Sequence, residues 1–252
     1  MSESKGIPVR ERLIFALDVP SVEEARRLVE ALGDSVRFYK VGLELAMSGG
    51  YFELVDWLVA RGSRVFADVK LFDIPETVAR AVERLAGRGI TFATVHGNQR
   101  MMAAAARAKG DELKVLAVTV LTSLDQGDLD DLGFETDVRS LVLSRARRAL
   151  EAGCDGVVTS GLEAAAIRAE LGERLLVVMP GIRPVWNDVE PPTSGGGLRQ
   201  DDQKRTVDIE EAFARGADYL VVGRPILTAA DPKAAAEAIV KEIAAARRPL
   251  EE

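Results

Sequence analysis

Apolar positions along this chain follow two alternating rhythms. Short runs rich in Val, Ile, Leu and Phe, at 13–18, 37–41, 64–70, 91–96, 115–120, 156–159, 175–179 and 219–222, read as buried strands. Between them the apolar residues recur at helical spacing, as in 21–32, 76–86, 138–152 and 233–247. The punctuation agrees with this reading. Ser21 followed three residues on by Glu24 carries the signature of a capping box. Gly33, Gly62, Gly89, Gly110, Gly153, Gly172 and Gly216 stand where predicted helices end.

Eight strand–helix units in 252 residues predict an α/β protein of one domain, a closed (β/α)8 TIM barrel spanning residues 1–252. A doubly wound sheet is the main alternative, but no Gly-x-Gly-x-x-Gly follows any strand. No linker or shift in composition divides the chain. Residues 1–11 read as an N-terminal extension. The stretch 184–205 lacks periodicity and contains Pro191-Pro192 and Gly195-Gly196-Gly197. Loops of this length in a compact domain are usually functional or disordered. A second irregular stretch, 123–136, follows the fifth strand.

Composition narrows the field. Apolar residues make up 47% and charged residues 29%, as in soluble globular proteins. The net charge of −7 argues against general nucleic-acid affinity, while leaving local basic sites for phosphate open. The first dozen residues have no apolar core and do not read as a secretory signal. No uncharged apolar run approaches the roughly 20 residues that span a bilayer. A cytoplasmic protein with no membrane partner is expected. The single cysteine, Cys154, excludes an intrachain disulfide and a cysteine metal cluster. At a strand entrance it reads as a buried structural thiol.

The candidate chemistry lies at the ends of the strands. Asp68-Val-Lys70-Leu-Phe-Asp73, then Ile74-Pro75-Glu76-Thr77, sits where the third strand gives way to a helix. Asp68 and Lys70, two apart on a strand, share a face. Crowding charges at a strand end costs desolvation, which structural economy avoids. Asp18 ends the first strand, Lys40 lies late in the second, and His96 ends the fourth. Thr119 and Thr122 close the fifth. The seventh runs into Pro180-Gly181-Ile182-Arg183-Pro184 and the eighth into Gly223-Arg224-Pro225. In such a barrel all of these gather on the carboxyl-terminal rim, where active sites are built. The loops after strands seven and eight commonly bind phosphate. Arg183 and Arg224 would supply bidentate donors, Gly223 would allow close backbone approach, and Gln203 would fold back as a third donor.

Each residue also has a plainer structural role. Asp73 suits a helix cap with Pro75 in the first turn. Lys40 and Lys70 suit lysines that snorkel, and Asp18 a turn residue before Pro20. His96 suits a hydrogen-bonded structural histidine, and the Gly-rich loop a loose insertion.

Taken together, Asp68-x-Lys70-x-x-Asp73-Ile-Pro-x-Thr77, Asp18 after Ala-Leu, Lys40 in Lys-Val-Gly, Pro-Gly-Ile-Arg183-Pro and Gly223-Arg224-Pro closely resemble orotidine 5′-monophosphate (OMP) decarboxylases. The likeness runs from about residue 12 to 240 and extends to Val118-Thr-Val-Leu-Thr122-Ser. It implies conversion of OMP to UMP and CO2 in pyrimidine biosynthesis by homodimeric barrels, with no metal or organic cofactor. By position, Lys70 would protonate C6 of the pyrimidine and Asp68 would lie beside the substrate carboxylate. Asp73 would reach in from the neighbouring subunit. Lys40 and Asp18 would complete the charged array and hold the ribose hydroxyls. Ile74 and Thr77 would be substrate contacts, with Thr77 reaching the ribose side from the partner chain. Thr122 would lie near the base, and Arg183, Gln203, Gly223 and Arg224 would hold the 5′-phosphate.

One departure from the pattern is the length between Arg183 and Gln203, greater than a compact member would need and suggestive of a larger phosphate lid. The rival readings are a metal-dependent sugar-phosphate lyase on the same barrel and a catalytically silent nucleotide-binding protein. Such lyases, keto-gulonate-phosphate decarboxylase and hexulose-phosphate synthase among them, carry an acidic metal ligand where this chain has Lys40. A silent binder would be expected to lack a catalytic residue, and none is missing.

Overall fold

The computed structural model describes residues 5–184 and 206–246. Within them the strands are β1 (Leu13–Ala16), β2 (Phe38–Gly42), β3 (Arg64–Leu71), β4 (Phe92–His96), β5 (Lys114–Val118), β6 (Gly156–Val158), β7 (Leu176–Met179) and β8 (Tyr219–Val222). Each pairs in parallel with the next, and β8 returns to β1 through Leu220↔Leu13, Val221↔Ile14 and Val222↔Phe15. The predicted barrel is therefore closed.

Period-two alternation divides the residues between an inner and an outer core. Ile14, Phe38, Phe66, Phe92, Leu116, Val178 and Tyr219 point inward as one cluster. Their rings meet edge to face or tilted, with Phe92 5.1 Å from both Phe38 and Tyr219. This aromatic plug fills the barrel's lower half. Gly156 is part of the fit, since a Cβ there would lie 2.6 Å from the Leu176 carbonyl oxygen. Two residues further along the strands, the inward positions are Ala16, Lys40, Asp68, Thr94 and Val118. The inner face thus changes from aromatic to polar within one layer.

The outer core joins strands to helices. The helix Val22–Leu32 buries Ala25, Val29 and Leu32, and Pro75–Ala86 buries Val78, Val82 and Leu85. Each such Leu or Val contributes about 1.5–3 kcal/mol when fully covered. The predicted C-terminal glycines hold, with Gly33 and Gly172 at φ 53° and 59°. Cys154 is buried, which pushes its thiol up to about 12, as a structural role requires. Among the described residues no helix is long and apolar enough to cross a membrane.

Details differ from the expected pattern. β1 and β5 end at Ala16 and Val118, two residues earlier than expected, although the Leu17 N–H still donates to the Lys40 carbonyl at 3.0 Å and the Thr119 N–H to the Val158 carbonyl at 3.2 Å. Ser21 accepts from the Glu24 N–H at 3.2 Å, so half of the capping box forms. A complete box appears elsewhere, with Asp125 and Asp128 opening a short helix, Gln126–Asp131, inside the stretch expected to be irregular. Below the plug, Ile7 packs against the inner cluster, and Lys5 Nζ donates to the Leu175 carbonyl and to Asp218 Oδ2, both at 2.8 Å.

Candidate active site

With the lower barrel plugged, the carboxyl-terminal mouth holds the open space. A cavity of about 370 Å³ lies there, lined by Asp18, Lys40, Asp68, Lys70, Thr122, Arg183, Gly223 and Arg224, with Ala16, Val118 and Val158 as its apolar floor. Its size suits a small-molecule ligand. Eight candidate residues from six different strand ends thus face one volume.

Four of them form a chain of alternating charge. Lys40 Nζ lies 3.0 Å from Asp18 Oδ1 and 3.6 Å from Asp68 Oδ2, and Lys70 Nζ donates to Asp68 Oδ2 at 2.9 Å. Burial alone would raise the pKa of Asp68, but the Lys40 and Lys70 cations, with hydrogen bonds from Lys70 and Thr94, bring it below the ordinary carboxylate value. Burial would likewise lower Lys40, yet the carboxylates of Asp68 and Asp18 leave its pKa raised. The array is therefore held ionised in a setting that penalises charge. Replacing such an ion set by well-packed apolar groups is often neutral or stabilising, so stability gives no reason to keep it.

The backbone is irregular at the same place. β3 pairs with β4 through Ala67↔Ala93 and Leu71↔Val95, with a shift of register between them. Lys70 takes φ 48°, the sole non-glycine with positive φ among the described residues. A left-handed lysine costs about 1–2 kcal/mol, and strain of this kind clusters at functional sites. The bulge carries Asp68 and Lys70 to the cavity together, as the period-two argument expected, although the regular strand behind that argument is broken.

Thr94 was missed by the sequence reading. It is fully buried on β4, accepts from the Lys70 N–H at 3.0 Å and donates to Asp68 Oδ1 at 2.9 Å. Its signal was its inward register, one step above Phe92.

The remaining predicted residues divide. Arg183 is held by a bridge between Ile182 and Val207, its N–H donating to the Val207 carbonyl at 3.0 Å. Gly223 opens the short helix Arg224–Leu227. Its neighbours do not demand a glycine, because a Cβ would lie 3.5 Å from that of Ala16. Asp73 and Ile74 are exposed, and neither they nor Thr77 line this chain's own cavity. Asp73 does not cap the following helix through its first-turn amides. Ile74 is the N-cap, Pro75 has no N–H to offer, and the Asp73 carboxylate accepts from the Ile74 N–H at 2.6 Å. Thr119 is buried and donates to the Val158 carbonyl instead of facing the cavity. His96 has no ring hydrogen bond among the described residues; Phe72 occupies the place of a partner, with ring centroids 5.6 Å apart. Gln203 and the Gly-rich stretch lie outside the described residues.

A model of the "Orotidine 5'-phosphate decarboxylase / HUMPS family" matches residues 11–239. A protein of Methylococcus capsulatus named orotidine 5'-phosphate decarboxylase is 63% identical over 234 residues, covering 93% of this chain and 92% of its own. One of the same name from Nitrobacter winogradskyi is 52% identical over 241 residues, covering 95% of each. The crystal structure of orotidine 5'-phosphate decarboxylase from Lactobacillus acidophilus superposes with a TM-score of 0.78 at 36% identity, covering 92% of this chain and 99% of that one.

Proposed function

Because this chain belongs to the orotidine 5′-phosphate decarboxylase / HUMPS family, we propose that it converts OMP to UMP and CO2 in pyrimidine biosynthesis, with Lys70 as the proton donor. The observation that carries the mechanism is the Asp18–Lys40–Asp68–Lys70 chain facing one cavity.

The substrate's C6–carboxylate bond breaks, the electron pair remains on C6, and CO2 leaves. The ring cannot delocalise that pair well, so stabilisation is largely electrostatic and falls to a fixed positive charge. The Lys70 ammonium supplies it and then gives a proton to C6, becoming an amine. Asp68 holds that ammonium at 2.9 Å and sits beside the departing carboxylate. Lys40 and Asp18 hold the ribose hydroxyls and offset the charge of Asp68. Thr122 meets the base, while Arg183, Arg224 and the Gly223 backbone, all lining the cavity, bind the phosphate. Binding energy from that remote phosphate is available to organise the reacting end.

The reaction requires no metal or organic cofactor in this scheme. Supporting that reading, the position of an acidic ligand in metal-dependent barrel lyases is taken by Lys40, whose ammonium is no ligand for Mg²⁺. The functional unit is a homodimer in which Asp73, Ile74 and Thr77 serve the partner's cavity. In support, these residues avoid their own cavity, and Phe72 (75% exposed) and Ile74 after β3, with Leu43 and Met47 on the short helix after β2, place apolar surface beside them in the chain.

Turnover of OMP by purified protein, followed by absorbance with and without EDTA, tests this reading. Conversion to UMP unaffected by EDTA is expected. An intact protein that leaves OMP unchanged, yet cleaves sugar phosphates when Mg²⁺ is added, would overturn it.

A further inference from the structure

Between the pairs Ala67↔Ala93 and Leu71↔Val95, β3 spends the residues Asp68, Val69 and Lys70, whereas β4 spends Thr94 alone. A parallel ladder cannot satisfy the extra backbone groups, and an unpaired N–H at this depth carries a desolvation cost. The Thr94 hydroxyl takes over the missing acceptor role by accepting from the Lys70 N–H at 3.0 Å. Its single proton then has one direction left. It goes to Asp68 Oδ1 at 2.9 Å, a carboxylate oxygen that can only accept.

The other oxygen of that carboxylate accepts from Lys70 Nζ at 2.9 Å. The three hydrogen bonds and the Lys70 side chain itself close a ring, from the Lys70 amide through the Thr94 hydroxyl and the Asp68 carboxylate to the Lys70 ammonium. One buried hydroxyl therefore fixes both ends of Lys70, its left-handed backbone and its charged tip, and selects which Asp68 oxygen faces the cavity. We propose that Thr94 is a positioning residue for decarboxylation, acting through Asp68 and Lys70 without touching substrate. The proposal rests on the decarboxylase reading above and adds to it the device that holds the proton donor in place. A β-branched residue of this volume without the hydroxyl would fill the same space but leave the Lys70 N–H and Asp68 Oδ1 without this partner, so the task belongs to the hydroxyl.

The test compares Thr94→Val, which keeps the volume, with Thr94→Ser, which keeps the hydroxyl. With a hydrogen bond to a charged group lost, kcat of Thr94→Val should fall about 10- to 100-fold. KM for OMP should change by less than about 3-fold, because the phosphate and ribose contacts are intact. Thr94→Ser should recover kcat to within about 3-fold of the parent. The acid limb of the Thr94→Val rate profile should also move to higher pH, since Asp68 loses a bond that favours its ionised form.

An unchanged kcat in folded Thr94→Val would overturn the proposal, and so would equal losses in the Val and Ser variants, which would point to packing. If Thr94→Val does not fold, Thr94→Ala serves as the hydroxyl-free variant, and failure of both to fold would mark Thr94 as purely structural. The parent enzyme separates the two claims. Absence of OMP turnover by the parent sinks the decarboxylase reading, whereas an active parent with an equally active Thr94→Val sinks the positioning role alone.

Discussion

The two mouths of the barrel both carry a cluster of charge, and they use it in opposite ways. At the amino-terminal mouth Asp218 Oδ2 accepts from Lys5, Arg168 and the Val177 N–H within 2.7–2.9 Å. Arg168 also donates to the carbonyls of Gly172, Leu175 and Gly216, and Arg12 donates to the Asp218 carbonyl. Backbone groups and side chains consume one another, and the aromatic plug lies directly above. At the carboxyl-terminal mouth Asp18, Lys40, Asp68 and Lys70 pair mainly among themselves, beside a strained residue and an open cavity. The lesson is that a buried charge cluster acts as a clamp when it terminates on the backbone. One that terminates on space is left available for chemistry.

The comparison breaks most decisively at Asp218. Its removal leaves the Val177 N–H without its acceptor and leaves Lys5 and Arg168 with Glu173, at 3.3 and 3.5 Å, as their carboxylate, so Asp218→Ala should lose about 1–3 kcal/mol of stability, read from denaturant unfolding. Turnover per folded molecule should remain at the parent level. Loss of turnover with stability intact would mean that the lower cluster is no mere clamp.

A smaller effect sharpens the contrast at the upper mouth. In an ordinary strand glycine is less stable than alanine by roughly 0.5–1 kcal/mol. At position 70 the left-handed backbone should reverse the order, making Lys70→Gly about 1 kcal/mol more stable than Lys70→Ala. Finding alanine the more stable of the two would remove the strain from the account.

The smallest effect concerns pH. Burial, then the cations Arg145 and Lys70, depress the pKa of His96 below its ordinary 6.5, against an opposing pull from Asp68. The folded protein thus binds this proton less readily than the unfolded chain does. The contribution is fully present above pH 6.5 and is lost as pH falls through the depressed value. His96→Asn should flatten that acid-side slope of stability. Asp68, also depressed, adds a separate loss below its ordinary 3.8. Lys40, whose pKa is raised, loses its contribution as pH climbs beyond 10.5. An unaltered slope near pH 6 in His96→Asn would remove the histidine from the account.

Legibility followed the range of the interactions. Asp18, Lys40 and Asp68 were readable because charges at the ends of predicted strands gather on one rim, whereas Lys70 reaches it through a bulge that strand periodicity does not foresee. Thr94 was equally phased, but a lone threonine in a strand looks like ordinary β-former chemistry, and its bond to Asp68 is a tertiary fact. The left-handed Lys70 had no glycine or asparagine to mark it. Lys5 and Asp218 meet across nearly the whole chain, and no local pattern announces such a pair. The Asp125–Asp128 box lies in a stretch expected to be irregular, because Asp-x-x-Asp departs from the usual Ser/Thr-x-x-Glu pattern and a six-residue helix is too short for periodicity to register.

In the proposed reaction the upper cluster is the reagent, with Lys70 delivering the proton. The most direct measurement is OMP turnover by folded Lys70→Ala beside the parent, both in EDTA. The account predicts an active parent and a variant slowed by at least about 10⁴-fold, as loss of both the charge and the proton donor requires. A variant within about tenfold of the parent would contradict it.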